Sequence, residues 1–242
     1  MRMKILITND DGIKASGIIR LAEAAKKYGE VWVVAPDGQR SAASHSITLR
    51  TYIDAFEYDF PVAGVHAYAT TGTPADCVRI GVRNIVPGGP DLILSGINDG
   101  YNAGTDAQYS ATIGAAMEGV FQGIPAIALS EGFGDEYQVT DDCLDDALEK
   151  AIAYRTNAKV SEMEIVNVNF PQCKPEDVKG ILLDRINSRE SVFVDSYNET
   201  PIDGGIRYMV EGAFVGEAEE GTDLRALYDN YISIGIIRNI GR

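Results

Sequence analysis

MKILITNDDGI, Met3 to Ile13, runs through hydrophobic residues and then sets two carboxylates, Asp10 and Asp11, side by side before a glycine. The apolar half reads as a short buried strand and the acidic half as the loop beyond its carboxyl end. GIIRLAEAAKKYG (17–29) comes next, with Ile18, Leu21 and Ala25 at helical spacing and Gly29 to close the helix. EVWVVAP (30–36) is a second apolar strand, ended by Pro36.

The same rhythm continues along the chain. PADCVRIGVRNIV (74–86) reads as helix, PDLILSG (90–96) as strand, SATIGAAMEGVFQG (110–123) as helix and IPAIALS (124–130) as strand. DDCLDDALEKAIAY (141–154) reads as a helix with Asp141 or Asp142 as N-cap and first-turn acid, and MEIVNVNFP (163–171) returns to strand. Alternating βα units with continuous apolar strands predict an α/β fold with a mostly parallel sheet covered on both faces. Two parts break the rhythm. ITLRTYIDAFEYDF (47–60) alternates like a half-exposed antiparallel strand, and SVFVDSYNETPIDGGIRYMVEGAFV (191–215) reads as two strands around an Asp-Gly-Gly turn. The tail YISIGII (231–237) is one more strand, with no obvious place in a parallel core.

The composition bounds the function. The chain has 242 residues, 45% of them hydrophobic, which suits one medium-sized domain, or a domain with an elaborated second lobe, with a real core. A formal net charge of −15 disfavours binding to nucleic-acid polymers. There is no apolar run long enough to span a bilayer and no signal-peptide pattern at the start. The three cysteines, Cys77, Cys143 and Cys173, are far apart and fit reduced thiols, so the expected compartment is the cytoplasm.

In an open parallel sheet, ligands bind beyond the carboxyl ends of the strands. The segments there are NDDG (9–12), APDGQRSAASHS (35–46) and SGINDGYNAGTDAQYS (95–110), rich in glycine, hydroxyl and amide. Asp10 and Asp11 in a continued strand would point to opposite faces, but Gly12 permits a turn on which they converge. Converging carboxylates repel and call for a cation; equally, Asn-Asp-Asp-Gly is good turn chemistry in its own right. Ser41 and Asn98 offer neutral oxygens from the other two loops, or serve there as loop hydrogen-bonders. All four together make a hard oxygen site suited to Mg²⁺, Mn²⁺ or Ca²⁺. Zinc is disfavoured, with only two histidines, His45 and His66, and no close Cys/His pair. Ser110 to Thr112 begin a helix whose N-terminus favours phosphate. His45 could reach the same pocket, or simply hydrogen-bond within its loop.

Two decoys fall away. ALSEG (128–132) nearly matches a nucleophile elbow, but both histidines precede Ser130, so the order Ser-Asp-His cannot be completed. The adjacent acids are also out of register for an aspartyl-nucleophile phosphatase with D-x-D.

Taken together, ILITNDDG, VVAPDGQRSAASHSITL, TTGTPADCV, LILSGINDGYNAG, YSATIGAAMEG, GIPAIALS and VNVNFP resemble, in the right order, the survival-protein SurE family of metal-dependent nucleotidases. The resemblance implies a three-layer, Rossmann-like fold with β-rich C-terminal appendages. It also implies the release of phosphate from nucleoside 5′-monophosphates, with 3′-monophosphates as a further candidate class. It places one divalent metal, Mg²⁺ or Mn²⁺ with Ca²⁺ as a substitute, on Asp10, Asp11, Ser41 and Asn98. Asp10, Asp11 and Asn9 would serve the chemistry. Asn9, Ser44, Gly96, Asn102, Ser110 and Thr112 would surround the phosphate and substrate. Residues 1–187 would form the metal- and nucleotide-binding core and 188–242 a hairpin and oligomerisation segment, exchanged between subunits of a homodimer or tetramer. A non-catalytic nucleotide sensor using the same pocket is the alternative. The chain departs from the family at Ala42 and Ala111, where glycine is common and a methyl could narrow the pocket, and at Gly235–Ile236, where Thr-Pro is usual.

Overall fold

The structure, a computed structural model, describes residues 2–134, 138–156 and 160–238. The elements in chain order begin with β1 (Met3–Thr8), α1 (Ser16–Ala25), β2 (Gly29–Pro36), β3 (Ala55–Glu57) and β4 (His66–Thr70). There follow α2 (Pro74–Ile80), β5 (Leu92–Asp99), α3 (Ala111–Phe121), β6 (Ala126–Glu131), α4 (Gln138–Thr156) and β7 (Glu164–Asn169). The last are β8 (Gly180–Arg185), β9 (Phe193–Ile202), β10 (Gly205–Phe214), α5 (Asp223–Tyr228) and β11 (Tyr231–Arg238).

One nine-stranded sheet has the order β3-β4-β2-β1-β5-β6-β7-β11-β8, and its middle six strands, β4 to β7, are parallel. Alternation along each strand sorts the core into two layers. Ile5, Ile7, Val31, Val33, Leu92 and Leu94 face α1 and α4, while Leu6, Val34 and Ile93 face α2 and α3. Burial on both faces is why these strands read as unbroken apolar runs. From β1 the chain moves outward through β2 to β4, then returns to the other side of β1 with β5. The strand order therefore reverses between β1 and β5, where a crevice opens at their carboxyl ends.

Helix starts follow local chemistry. Thr73 and Asp76 form a capping box on α2: the Asp76 N–H donates to Thr73 Oγ1 at 3.1 Å and the Thr73 N–H donates to Asp76 Oδ2 at 3.0 Å. Ser110 caps α3, its hydroxyl oxygen accepting the Ile113 N–H at 3.2 Å. α4 begins at Gln138, so Asp141 lies in its first turn and neither Asp141 nor Asp142 is its cap.

Several expectations need correcting. α1 ends at Ala25, and Gly29 opens β2 rather than closing the helix. Of 47–60 only Ala55–Glu57 is strand, antiparallel to β4 as its alternation suggested. The tail does have a place in the sheet: β11 lies between β7, antiparallel, and β8, parallel. Asp223, at the start of α5, accepts the N–H groups of Gly104 and Ser188 at 3.0 and 2.8 Å, which fastens the tail to the loop after β5. The tail is thus part of the chain's own core, and its removal would strip a strand from inside the sheet. What stands apart is the hairpin of β9 and β10, a separate two-stranded sheet exposed along nearly its whole length.

Candidate active site

Four loops meet at the crevice beyond β1 and β5. Asp10 is 3% exposed and Thr112 Oγ1 donates to its Oδ1, so the first turn of α3 holds one carboxylate oxygen in place. Burial raises the Asp10 carboxyl above its ordinary range, against the pull of that hydrogen bond. Asp11 is pushed up to about 6, by burial first and by the Asp10 charge second, although the Asp99 N–H donates to its Oδ2 at 3.3 Å. The Asp10 charge thus acts on Asp11, which does not itself line the cleft, across the turn that Gly12, at φ 97°, allows.

Ser41 and Asn98 line the same cleft as Asp10. The Gln39 amide donates to Ser41 Oγ at 3.0 Å, and the Asn98 amide donates to the Gly100 carbonyl at 2.8 Å, which commits the Asn98 nitrogen to its own loop. Among the described residues no three His, Cys, Asp or Glu side chains gather into a metal cluster. A cation here would depend on two carboxylates together with hydroxyl and amide oxygens. That set fits a hard divalent ion, because a cation would offset the burial that raises both carboxyls and the Asp10 charge that adds to it at Asp11.

The other sequence-derived candidates divide. Asn102 and Ser110 line the cleft. The Asn102 amide donates to Ser130 Oγ at 2.8 Å and its N–H to Asn169 Oδ1 at 2.9 Å. Ser130, the rejected nucleophile, thus supports a cleft residue from behind. Asn9 is fully buried away from the cleft, its amide donating to the Gly12 carbonyl at 3.0 Å while its Oδ1 has no protein partner. Asn9 therefore shapes the turn that carries the carboxylates. Gly96 sits inside β5, where a Cβ would come within 2.2 Å of the Leu129 carbonyl oxygen, so it permits close strand packing and does not line the cleft. The Ser44 N–H and hydroxyl both point to the Tyr109 carbonyl, at 3.1 and 3.3 Å, and pin the Ser41 loop to the start of α3.

His45 does not line the cleft. Its Nε2 lies 2.9 Å from Glu118 Oε2 and its ring stacks on Phe121, with centroids 5.3 Å apart. Burial works to raise Glu118, but hydrogen bonds from His45 and Gln122 and the nearby charge of Arg79 outweigh it and hold the carboxyl below its ordinary value. Of the two departures, Ala42 lines the cleft with φ 57°, a left-handed conformation that favours glycine. Ala111 is fully buried in α3 and does not line it, so only the Ala42 methyl bears on the pocket's width.

Sequence reasoning missed one side of the cleft altogether. Tyr101, Tyr109, Phe133, Val192, Phe193 and Phe214 line it together with the polar groups. The only trace in the sequence is that Phe193 and Phe214 are equally far from the hairpin turn.

The family model described as Survival protein SurE matches residues 5–192. A protein named 5′-nucleotidase SurE from Pelotomaculum thermopropionicum is 37% identical over 234 residues, covering 96% of this chain and 88% of that one. A protein of the same name from Clostridium botulinum is 36% identical over 240 residues, covering 96% and 91%. The crystal structure of the SurE protein from Aquifex aeolicus superposes with a TM-score of 0.81 at 34% identity, over 99% of this chain and 95% of that one.

Proposed function

Since the chain belongs to the survival protein SurE family, we propose that it is a metal-dependent phosphomonoesterase that releases phosphate from nucleoside 5′-monophosphates, with 3′-monophosphates to be tested beside them. The observation that carries the reading is that Asp10, Ser41 and Asn98 line one cleft at the strand-order reversal, with Asp11 next to Asp10 and under the influence of its charge. The relatives' shared name, 5′-nucleotidase, favours an enzyme over a nucleotide sensor.

Asp10, Asp11, Ser41 and Asn98 would hold one Mg²⁺ or Mn²⁺, with Ca²⁺ as an alternative occupant. When bound, such an ion polarises the phosphoryl group and offsets the charge that develops on it. The chain's own groups do the rest. Thr112 fixes Asp10, which can orient the attacking water. Ser110, at the capped N-terminus of α3, and Asn102, braced by Ser130, stand where phosphate oxygens would enter. Ser44 and His45 hold the Ser41 loop, and Asn9 the carboxylate turn, without touching substrate.

We assign the protein to the cytoplasm on its unpaired cysteines; Cys77 is buried, with its thiol pushed up to about 12 by burial. Among the described residues no helix is long and apolar enough to cross a membrane. We also propose a homodimer or tetramer in which C-terminal segments are exchanged, with the outer part of the exposed hairpin, beyond the cleft-lining Phe193 and Phe214, as the exchanged element rather than β11. Tyr197, Ile206, Tyr208 and Val210 are exposed on the hairpin, and two strands alone are marginally stable in water.

The test of the activity is a panel of nucleoside monophosphates assayed for phosphate release with Mg²⁺ and with Mn²⁺. Turnover of 5′-monophosphates is expected. Tight nucleotide binding with no phosphate release would restore the sensor.

A further inference from the structure

The cleft, with a volume of about 630 Å³, has the size of a small-molecule site, and one wall of it is made of rings. Phe133 and Phe214 have centroids 5.8 Å apart with their planes tilted by 55°, and Phe214 and Phe193 5.6 Å apart at 74°, so the three rings form one contiguous aromatic cluster. Phe214 is 63% exposed, Phe133 47% and Tyr109, which lines the same cleft, 67%. Rings this large gain substantially from burial, and here they face a crevice instead of a core.

The structure holds this wall to the charged corner. Phe193 and Phe214 are cross-strand partners at the base of the hairpin. Asp106, in the loop after β5, accepts the N–H groups of Val192 and Phe193 at 2.8 and 3.2 Å, tying that base to the segment that carries Asn98 and Asn102. A Cβ on Gly212 would come within 2.3 Å of the Phe193 ring, and one on Gly100 within 2.5 Å of the Phe133 ring. Both rings therefore rest against bare backbone, and a side chain at either glycine would displace them.

We propose that Phe133, Phe193 and Phe214 form the nucleobase subsite, with Phe214, between the other two rings, as the main specificity-determining residue. The inference rests on the reading of the chain as a nucleoside monophosphate hydrolase. A second copy of the chain seated on these rings would cover Asp10 and Ser41, which line the same cleft. A planar group attached to the phosphate that enters the corner fits without that conflict. Stacking uses the face that every base presents, so the wall selects for a base without reading its edge, and the wider purine ring covers more of it.

The test compares adenosine 5′-monophosphate with ribose 5-phosphate, which carries the same ester and no base, on the parent, Phe214→Ala and Phe214→Tyr. Binding of adenosine itself is followed in parallel by ligand-observed NMR. Phe214→Ala should lower kcat/KM for adenosine 5′-monophosphate by about tenfold, through KM, with ribose 5-phosphate unchanged. It should also weaken adenosine binding, while Phe214→Tyr keeps the parent's values. Equal losses on both substrates, or an unchanged ratio between them, would overturn the subsite. If the parent releases phosphate from neither, the hydrolase reading fails and adenosine binding decides alone: loss in Phe214→Ala supports the wall, and no difference or no binding overturns it.

Discussion

In the cleft, Asp10, Ser41 and Asn98 follow or end strands that are buried through most of their length, whereas Phe193 and Phe214 begin and end a hairpin exposed nearly throughout. The contrast reflects what each side has to do. Oxygen ligands and a reacting phosphoryl group tolerate misplacement of well under about 1 Å, so they sit where the sheet and α3 fix the backbone. Stacking tolerates sliding and tilt, so it can be entrusted to rings on an element held at its base by Asp106 and a few ring contacts. On the proposed reading, the rigid part would perform the chemistry and the appended part would choose what is brought to it.

That division is open to direct attack. The largest effect belongs to the corner: Asp10→Asn or Asp11→Asn should lower phosphate release by about a hundredfold or more on every substrate, with or without a base, since even residues behind metal ligands are commonly worth about 10- to 100-fold. The thermal midpoint without metal should hold or rise, because each change relieves repulsion between raised carboxyls. A loss confined to base-bearing substrates would erase the distinction between the two walls.

A smaller effect is expected one layer back. Glu118→Gln removes the charge that holds His45 and hence the Ser41 loop, and should weaken Mn²⁺ binding by up to about tenfold, measured by calorimetry. The stability difference from the parent carries a sign. Glu118 is held below its ordinary value of 4.5, so its contribution is present above that pH and is lost as the pH falls through the lower, folded-state value. Denaturant midpoints of parent and variant should therefore converge in acid; a gap that is constant with pH would show that the carboxylate charge is not what holds the loop.

The smallest expected effect is at Ala42. Its left-handed backbone costs about 1–2 kcal/mol for a residue with a side chain, partly offset by the greater freedom of glycine in the unfolded chain. Ala42→Gly should raise stability by less than about 1 kcal/mol and change KM little. A large fall in KM would mean that the Ala42 methyl does obstruct the phosphate.

The sequence exposed the rigid side and concealed the other. Ile5, Leu6 and Ile7 announce a strand buried on both faces, and Asp10-Asp11-Gly12 announces itself because neighbouring acids are costly without a reason. β4 is only five residues with a histidine and two alanines, and the β8 stretch GILLDR is half-buried at the sheet edge, so neither carries a periodic signal. The place of β11 depends on pairing with strands more than 40 residues away, which local pattern does not encode. The aromatic wall is gathered from Tyr109, Phe133, Phe193 and Phe214, each an ordinary apolar residue in its own segment, and only folding brings them together. Asn9 shows the reverse: a polar residue next to the acids looked chemical, and its amide nitrogen is committed to the turn.

The chemistry proposed for the corner requires that it hold a divalent ion, and chelation tests that most directly. The protein is stripped exhaustively with EDTA, metal removal is verified by elemental analysis, and phosphate release from adenosine 5′-monophosphate is measured before and after Mg²⁺ or Mn²⁺ is returned. The expected result is loss of activity on stripping and recovery with either ion, with no recovery in Asp11→Asn. Full activity in the metal-free protein would contradict it and would mean that Asp10 and Asp11 act without a cation.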